Sequence, residues 1–264
     1  MTEWDAAAYA KMSGLQKAMA AQVLSLLELR GDERVLDVGC GEGKITALIA
    51  ARVPRGEVLG VDPSHDMIAF ASSHFGSGAG SNLRFEVADA RALAFIGVFD
   101  LVVSFNALHW VPDQDPVLRS IRAALKPDGR AQLRMVTAGS RQSLESVVED
   151  VRRSPRWQGH FAGFNDPYLR LTPEQYAAVA ERNGLQAVHV RTRDETWDFE
   201  SRAAFFTFCE VGLVAWTQRL PEPERKAFVD DVLDRYRSIT GDPTGAETVF
   251  KFYQTDFTLV PCGA

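Results

Sequence analysis

The sequence predicts a doubly wound α/β fold, and three observations predict it. Short apolar runs alternate with segments of helical period from residue 34 to residue 136; a glycine-rich turn follows the first run; and a carboxylate stands at the end of each of the first three runs. Strand-helix alternation of this kind implies parallel strands with helices on both faces, because parallel neighbours need a crossover connection.

The elements follow in order. Leu15, Met19, Val23, Leu26 and Leu27 recur at spacings of three and four, which predicts an amphipathic helix over 14–29, closed by Gly31. The first strand is Arg34 to Val38. A helix with Ile45, Leu48 and Ile49 on its apolar face follows the glycines and stops at Pro54. Further strands are expected at Val58 to Val61, Leu83 to Val87, Phe99 to Phe105 and Ala131 to Val136. Helices are expected over about 64–73 and 115–125, with a turn at Lys126-Pro127-Asp128-Gly129. After residue 140 the rhythm changes to helices over about 142–183, interrupted by an irregular aromatic stretch from Arg156 to Leu171. A strand over Gln186 to Arg193 leads into two helices between Ser201 and Ile239, broken at Pro221-Glu222-Pro223. Val249 to Val260 alternates apolar and polar residues, as a half-buried final strand does.

A chain of 264 residues with 46% hydrophobic content can bury one sizeable core. Its net charge of -6 repels a phosphate backbone, so nucleic acid is not the expected partner. Cys40, Cys209 and Cys262 are scattered and odd in number, which argues against a disulfide framework or a zinc site and suits a reducing cytoplasm. The N-terminal residues lack a signal-peptide pattern, and no run reaches the roughly 20 apolar residues that span a bilayer. No membrane association is expected.

The turn Gly39-Cys40-Gly41-Glu42-Gly43 lies between the first strand and its helix, where ligands bind in open α/β sheets. A dinucleotide fingerprint would place its third glycine at Lys44, and Gly43 comes one residue early, which weakens a nicotinamide oxidoreductase reading. Asp37, directly before the loop, would repel a pyrophosphate but would attract an ammonium group. A helix cap is the plainer role for it. Asp62 ends the second strand, where a carboxylate can accept both ribose hydroxyls or simply cap the next helix. Asp89 could accept from an adenine amino group, with the next backbone amide on the ring.

Together Val-Leu-Asp-Val-Gly-Cys-Gly-Glu-Gly (35–43), Gly-Val-Asp-Pro-Ser (60–64), Ala-Asp-Ala (88–90), Asn-Ala-Leu-His-Trp (106–110) and Leu-Lys-Pro-Asp-Gly (125–129) resemble the class I S-adenosylmethionine-dependent methyltransferases. Trp4-Asp5 with Tyr9, the His109-Trp110 pair before Val111-Pro112-Asp113, and the helical insertion before the last strand resemble the trans-aconitate and juvenile-hormone-acid methyltransferases within that group. The resemblance implies a Rossmann-like seven-stranded sheet with an antiparallel last strand and helical lid insertions. It implies one domain over 1–264: a helical cap over 1–31, a cofactor core over 32–140, acceptor-side helices over 141–183 and 200–245, and last strands over 186–199 and 246–260. The implied cofactor is S-adenosyl-L-methionine, with S-adenosyl-L-homocysteine as product. Its implied contacts are Asp37, Gly39, Cys40 and Gly41 for the methionyl part, Asp62, Pro63 and Met67 around ribose and adenine, and Asp89 and Ala90 at the adenine edge. Asn106 and Ala107 fall near the sulfonium, and Tyr9 and Gln16 on a closing N-terminal helix. Asp128 replaces a glycine usual in the Lys-Pro-Gly-Gly turn.

Methyl transfer from a sulfonium needs alignment and exclusion of water, and no metal. The closer resemblance implies a small-molecule carboxylate acceptor, which is already nucleophilic; recognition by arginine, with Arg134, Arg170 and Arg219 as candidates, then matters more than proton transfer. For a hydroxyl or carbon acceptor, His109 is the candidate base, and an orienting role is its alternative. Candidate acceptor contacts are Trp110, Trp157, His160, Phe161, Phe164 and Tyr168, then Phe205, Phe206, Cys209 and Trp216, although aromatic residues at helical spacing commonly form plain core. The chain lacks Asn-Pro-Pro-Tyr after the fourth strand, which argues against methylation of nucleobase amines. A non-catalytic S-adenosylmethionine-binding module remains the alternative from a different class.

Overall fold

The computed structural model describes residues 22–76, 81–240 and 248–263. Seven strands form one sheet in the order β3-β2-β1-β4-β5-β7-β6. They are β1 (Arg34–Val38), β2 (Glu57–Asp62), β3 (Leu83–Val87), β4 (Phe99–Phe105), β5 (Leu125–Thr137), β6 (Leu185–Asp198) and β7 (Val249–Pro261). The first five run parallel, and β7 lies antiparallel between β5 and β6. The helices are α1 (Lys44–Ala50), α2 (His65–Phe75), α3 (Gln114–Ala124), α4 (Leu144–Arg152), α5 (Pro173–Arg182), α6 (Arg202–Gly212), α7 (Val214–Thr217) and α8 (Glu222–Thr240). Of the N-terminal helix expected over 14–29, residues 22–29 are described: 22–25 are helical, Leu26 is in a turn, and 27–29 have left the helix, which ends four residues earlier than the spacing predicts.

Alternate residues of each strand feed opposite cores, as the two-residue period requires. Leu36, Val102 and Leu133 pack against α3 and α5 through Leu118, Ile121 and Tyr176. Val35, Leu101 and Val103 pack against Leu24, Leu27 and α1. Buried on both faces, the central strands read as near-continuous apolar runs. Caps fix the helix starts: the Ser64 hydroxyl accepts from the Met67 N–H at 3.3 Å, and Thr172 and Gln175 form a reciprocal capping box.

A third core forms the lid. Val147, Val148 and Trp157 pack with Phe205, Trp216, Phe228 and Tyr236, and with Phe250 and Phe252 of β7. Val136, near the end of β5, and Trp110, in the segment after β4, pack against this cluster.

Some boundaries differ from those the sequence predicts. Lys126 to Gly129 is not a turn before β5 but a bulge within it. Pairing jumps from Phe99 opposite Leu125 to Leu101 opposite Arg130, and Lys126 Nζ reaches Asp100 at 2.7 Å. The expected strand at Gln186 to Arg193 extends to Asp198, because β7 offers partners along its whole length. The segment after Ser201 breaks at Leu213 as well as before α8: Gly212, a poor helix former, ends α6, and the short α7 turns Trp216 into the lid core. Among the described residues no helix is long and apolar enough to cross a membrane.

Candidate active site

The turn after β1 is held open by glycine. Gly39 adopts φ +78°, and a Cβ there would lie 2.3 Å from the Ala107 Cβ, so the loops after β1 and β4 can approach only without a side chain at 39. Gly41, at φ +54°, has nothing within 4 Å of where a Cβ would stand, so the turn leaves open space beside its Cα. The Gly39 and Cys40 N–H groups donate to the Val61 carbonyl at 2.8 and 3.0 Å. The Gly41 N–H donates to Asp62 Oδ2 at 3.1 Å.

Asp62 braces two elements at once, since its Oδ1 also accepts from the Ser64 N–H at 2.9 Å. Ser64, not Asp62, caps α2. Asp89 caps a short 3-10 turn over Ala90–Ala92 and holds the Arg91 guanidinium in a bidentate pair, with Nε at 3.0 Å from Oδ1 and Nη2 at 2.5 Å from Oδ2. The hydrogen bonds from Arg91 hold the Asp89 carboxyl below its ordinary pKa. Asn106, at the end of β4, has φ +57°, a strained conformation for a residue other than glycine. Its N–H donates to the Arg134 carbonyl at 2.8 Å, and its Oδ1 accepts from Gln254 Nε2 at 3.0 Å.

These groups surround a cavity of about 430 Å³ at the carboxyl ends of the strands. Gly39, Gly41, Asp62, Pro63 and Met67 line one part of it, and Asp89, Ala90, Asn106 and Ala107 another. Trp110, Val111, Pro112 and Pro167 close the remaining side with apolar surface. Nine of the cofactor contacts expected from the sequence are thus brought together.

Two are not. Asp37 is buried behind the turn, where its Oδ2 accepts from the Thr46 hydroxyl at 2.7 Å; burial pushes its pKa up to about 7. Cys40 is likewise buried and absent from the lining, and burial pushes its thiol up further. Tyr9 and Gln16 lie outside the described residues.

His109 is not on the cavity wall. It is 4% exposed, its Nδ1 accepts from the Val136 N–H at 3.4 Å, and burial lowers its pKa to about 3. The ring is neutral and tilted against Trp110 and Tyr168, with centroids 5.8 and 5.1 Å away. Burial of this kind disfavours the protonated ring.

Of the expected acceptor contacts, only Trp110 lines the cavity. Trp157, Phe161, Tyr168, Phe205, Cys209 and Trp216 are buried in the lid core, with Phe164 and Phe206 packed against it. Their burial satisfies the hydrophobic requirement that places such residues in cores. His160 pairs with Glu224 at 3.2 Å. The arginines are committed elsewhere: Arg134 Nε and Nη2 bind Asp256 at 2.6 and 3.1 Å, and Arg170 binds Asp166 and the carbonyls of Glu145 and Tyr168. Arg219 is exposed, with its guanidinium over the Phe164 ring.

Sequence reasoning missed Arg91, Pro167 and Gln254. Arg91 stands two residues after Asp89, a spacing compatible with the pair but too common to single out. Gln254 reaches Asn106 across 148 residues, and no local pattern announces that contact.

A methyltransferase-domain family model matches residues 35–129. The trans-aconitate 2-methyltransferase of Escherichia coli is 31% identical over 229 residues, covering 87% of this chain and 86% of that protein. The trans-aconitate 2-methyltransferase of Deinococcus radiodurans is 30% identical over 218 residues, covering 81% and 79%. Among solved structures, a Haemonchus contortus phosphoethanolamine N-methyltransferase 2 in complex with S-adenosyl-L-methionine is similar with a TM-score of 0.65 at 19% identity, covering 98% of this chain and 57% of that one. That last likeness is one of fold.

Proposed function

The chain belongs to the class I S-adenosylmethionine-dependent methyltransferases, and within that family we propose that it methylates a carboxylate oxygen of a small organic acid. The observation that carries this reading is the state of His109. Buried, neutral and accepting from Val136, it is not disposed to deprotonate a hydroxyl or a carbon acid, whereas a carboxylate is ionised at neutral pH and needs no base. The relatives named as trans-aconitate 2-methyltransferases support the same acceptor class.

The residues present suit the cofactor. Free space beside Gly41 and the carboxylates of Asp62 and Asp89 on the cavity wall match a ligand with a cationic methionyl end and a nucleoside rich in donors. When bound, S-adenosylmethionine supplies a methyl group on a positively charged sulfur. Gly39 and Gly41 are assigned to its methionyl part, with the Asp37 carboxylate behind them. Asp62, Pro63 and Met67 are assigned to ribose and adenine, Asp89 and Ala90 to the adenine edge, and Asn106 and Ala107 to the end nearest the acceptor. Trp110, Val111, Pro112 and Pro167 exclude water from that end, which strips the acceptor oxygen of hydration and holds it in line.

The test is product chemistry. The protein is incubated with S-adenosylmethionine and matched pairs of carboxylic acids and their alcohols, trans-aconitate included. The expected product is a methyl ester, cleaved by dilute base. A base-stable ether or a methylated carbon would overturn the acceptor assignment. The cofactor assignment is checked separately: Asp62→Ala is expected to weaken S-adenosylhomocysteine binding by about 1 to 3 kcal/mol in calorimetry, and unchanged affinity refutes it.

A further inference from the structure

Behind the Trp110 wall the lid encloses an ionised group that the chemistry above does not use. Glu149 on α4 is 4% exposed, and three donors share its carboxylate. Trp216 Nε1 and Arg152 Nε reach Oε1 at 2.8 and 2.7 Å, and Arg153 Nη2 reaches Oε2 at 2.8 Å. Burial alone would raise its pKa, but the bonds from Arg152 and Trp216 and the charges of both arginines hold it below its ordinary value.

Burying a carboxylate in an aromatic core is costly, and an apolar residue can fill the same volume at less cost. What an apolar residue cannot do is hold an indole by a charge-assisted hydrogen bond, which fixes the ring's rotation as well as its position. Trp216 is fully buried and meets Trp110 at 6.0 Å with the planes at 62°. Trp110 in turn stands edge-on to Tyr168 at 5.0 Å. Phe164 packs on Trp216 at 6.3 Å and carries the Arg152 guanidinium 5.2 Å from its ring centre, so the same arginine that binds Glu149 backs the neighbouring ring. The chain Glu149, Trp216, Trp110 runs from α4 through α7 to the cavity. Trp157 offers a comparison within the lid: its Nε1 donates to Asp231 at 2.7 Å, but its ring packs on Phe228, away from the cavity.

We infer that Glu149 is a positioning residue: by holding the Trp216 indole it sets the angle of Trp110 and so the shape of the acceptor end of the cavity. It touches neither acceptor nor cofactor. The inference rests on the reading of the cavity as a methyl-transfer site with its acceptor end at Trp110.

Fluorine NMR of protein labelled with 5-fluorotryptophan tests it, with the Trp110 and Trp216 signals assigned by Trp→Phe variants. Glu149→Leu is expected to shift or broaden both signals, Asp231→Leu to leave both in place, and Glu149→Gln, which keeps an oxygen for the indole N–H, to restore much of the wild-type pattern. Trp216→Phe should move the Trp110 signal, and adding Glu149→Leu to it should move that signal no further. S-adenosylhomocysteine affinity should stay within about twofold throughout, as expected for a separate site. Movement of the Trp216 signal with an unchanged Trp110 signal in Glu149→Leu overturns the inference, and if that variant does not fold, an unchanged Trp110 signal in Trp216→Phe does so. Failure of the wild type to bind S-adenosylhomocysteine would instead sink the reading of the cavity, and these signals would still report on the Glu149 contact.

Discussion

The ends of β1 to β4 and the lid are built on different physical principles. At the strand ends the site is made of backbone: Gly39 at φ +78° packed against Ala107, Gly41 open to the cavity, Asp62 tying the glycine turn to the start of α2. The lid is made of side-chain volume: Trp157, Trp216, Phe205 and Phe228 fill a core in which the carboxylates of Glu149 and Asp231 hold indoles. Backbone geometry of the first kind suits a ligand that does not vary. Side-chain packing of the second kind joins the lid helices to β7 through Phe250 and Phe252 and meets the cavity through Trp110.

The contrast implies that stability and cofactor binding can be damaged separately. Trp157→Ala is expected to lower stability by about 3 to 5 kcal/mol through the cavity it leaves, read by denaturant titration, with S-adenosylhomocysteine affinity of the folded fraction unchanged. A parallel loss of affinity would join the two regions. Gly39→Ala should do the opposite: the methyl group collides with Ala107 at an already positive φ, and affinity is expected to fall by about 100-fold, or ~2.7 kcal/mol, beyond any loss of stability. Affinity within a few-fold of wild type would mean that the approach of the two loops is not required.

His109 lies on the border, and its effect should be the smallest. His109→Asn keeps an acceptor for the Val136 N–H, so turnover of a carboxylic acid at pH 7.5 should fall by less than about tenfold, against the ~100-fold or more of a lost base. Its signature is in stability. The folded pKa is near 3 and the unfolded value 6.5, so between these the unfolded chain binds the extra proton and the wild type loses stability as pH falls through that window. At pH 5 the loss attributable to this group is ~2 kcal/mol, and the asparagine variant should be spared it. Parallel stability curves for the two proteins from pH 7 to 5 would show that His109 is not held neutral by burial.

The same contrast decides what the sequence could reveal. Asp62, Asp89 and the glycines were legible because each acts through its own strand end, within a few residues of the pattern that marks it. Asp37 was legible as a carboxylate beside the turn but not as one turned inward to Thr46, a distinction made by χ angles rather than by spacing. The lid aromatics read equally well as core or wall, since burial selects the same residues for both; only the folded chain separates Trp110, on the cavity, from Trp157 and Phe205, behind it. Gln254 and Asp256 were invisible as partners of Asn106 and Arg134, because the alternation of a strand says which residues share a face and not what they meet there.

The position of β7 bears on how the chain is made. Synthesised after β6, it nevertheless lies between β5 and β6, so a nascent chain that has emerged as far as α8 has no partner for the far edge of β5, and β6 has no place in the sheet. Phe250 and Phe252 are missing from the lid at the same stage. Arg134, buried against Asp256 in the folded chain, then lacks that partner. An exposed edge of this sort invites wrong pairing between neighbouring chains; the late strand closes it and in the same step brings Asp256 to Arg134, so completing the sheet and burying the ion pair are one event.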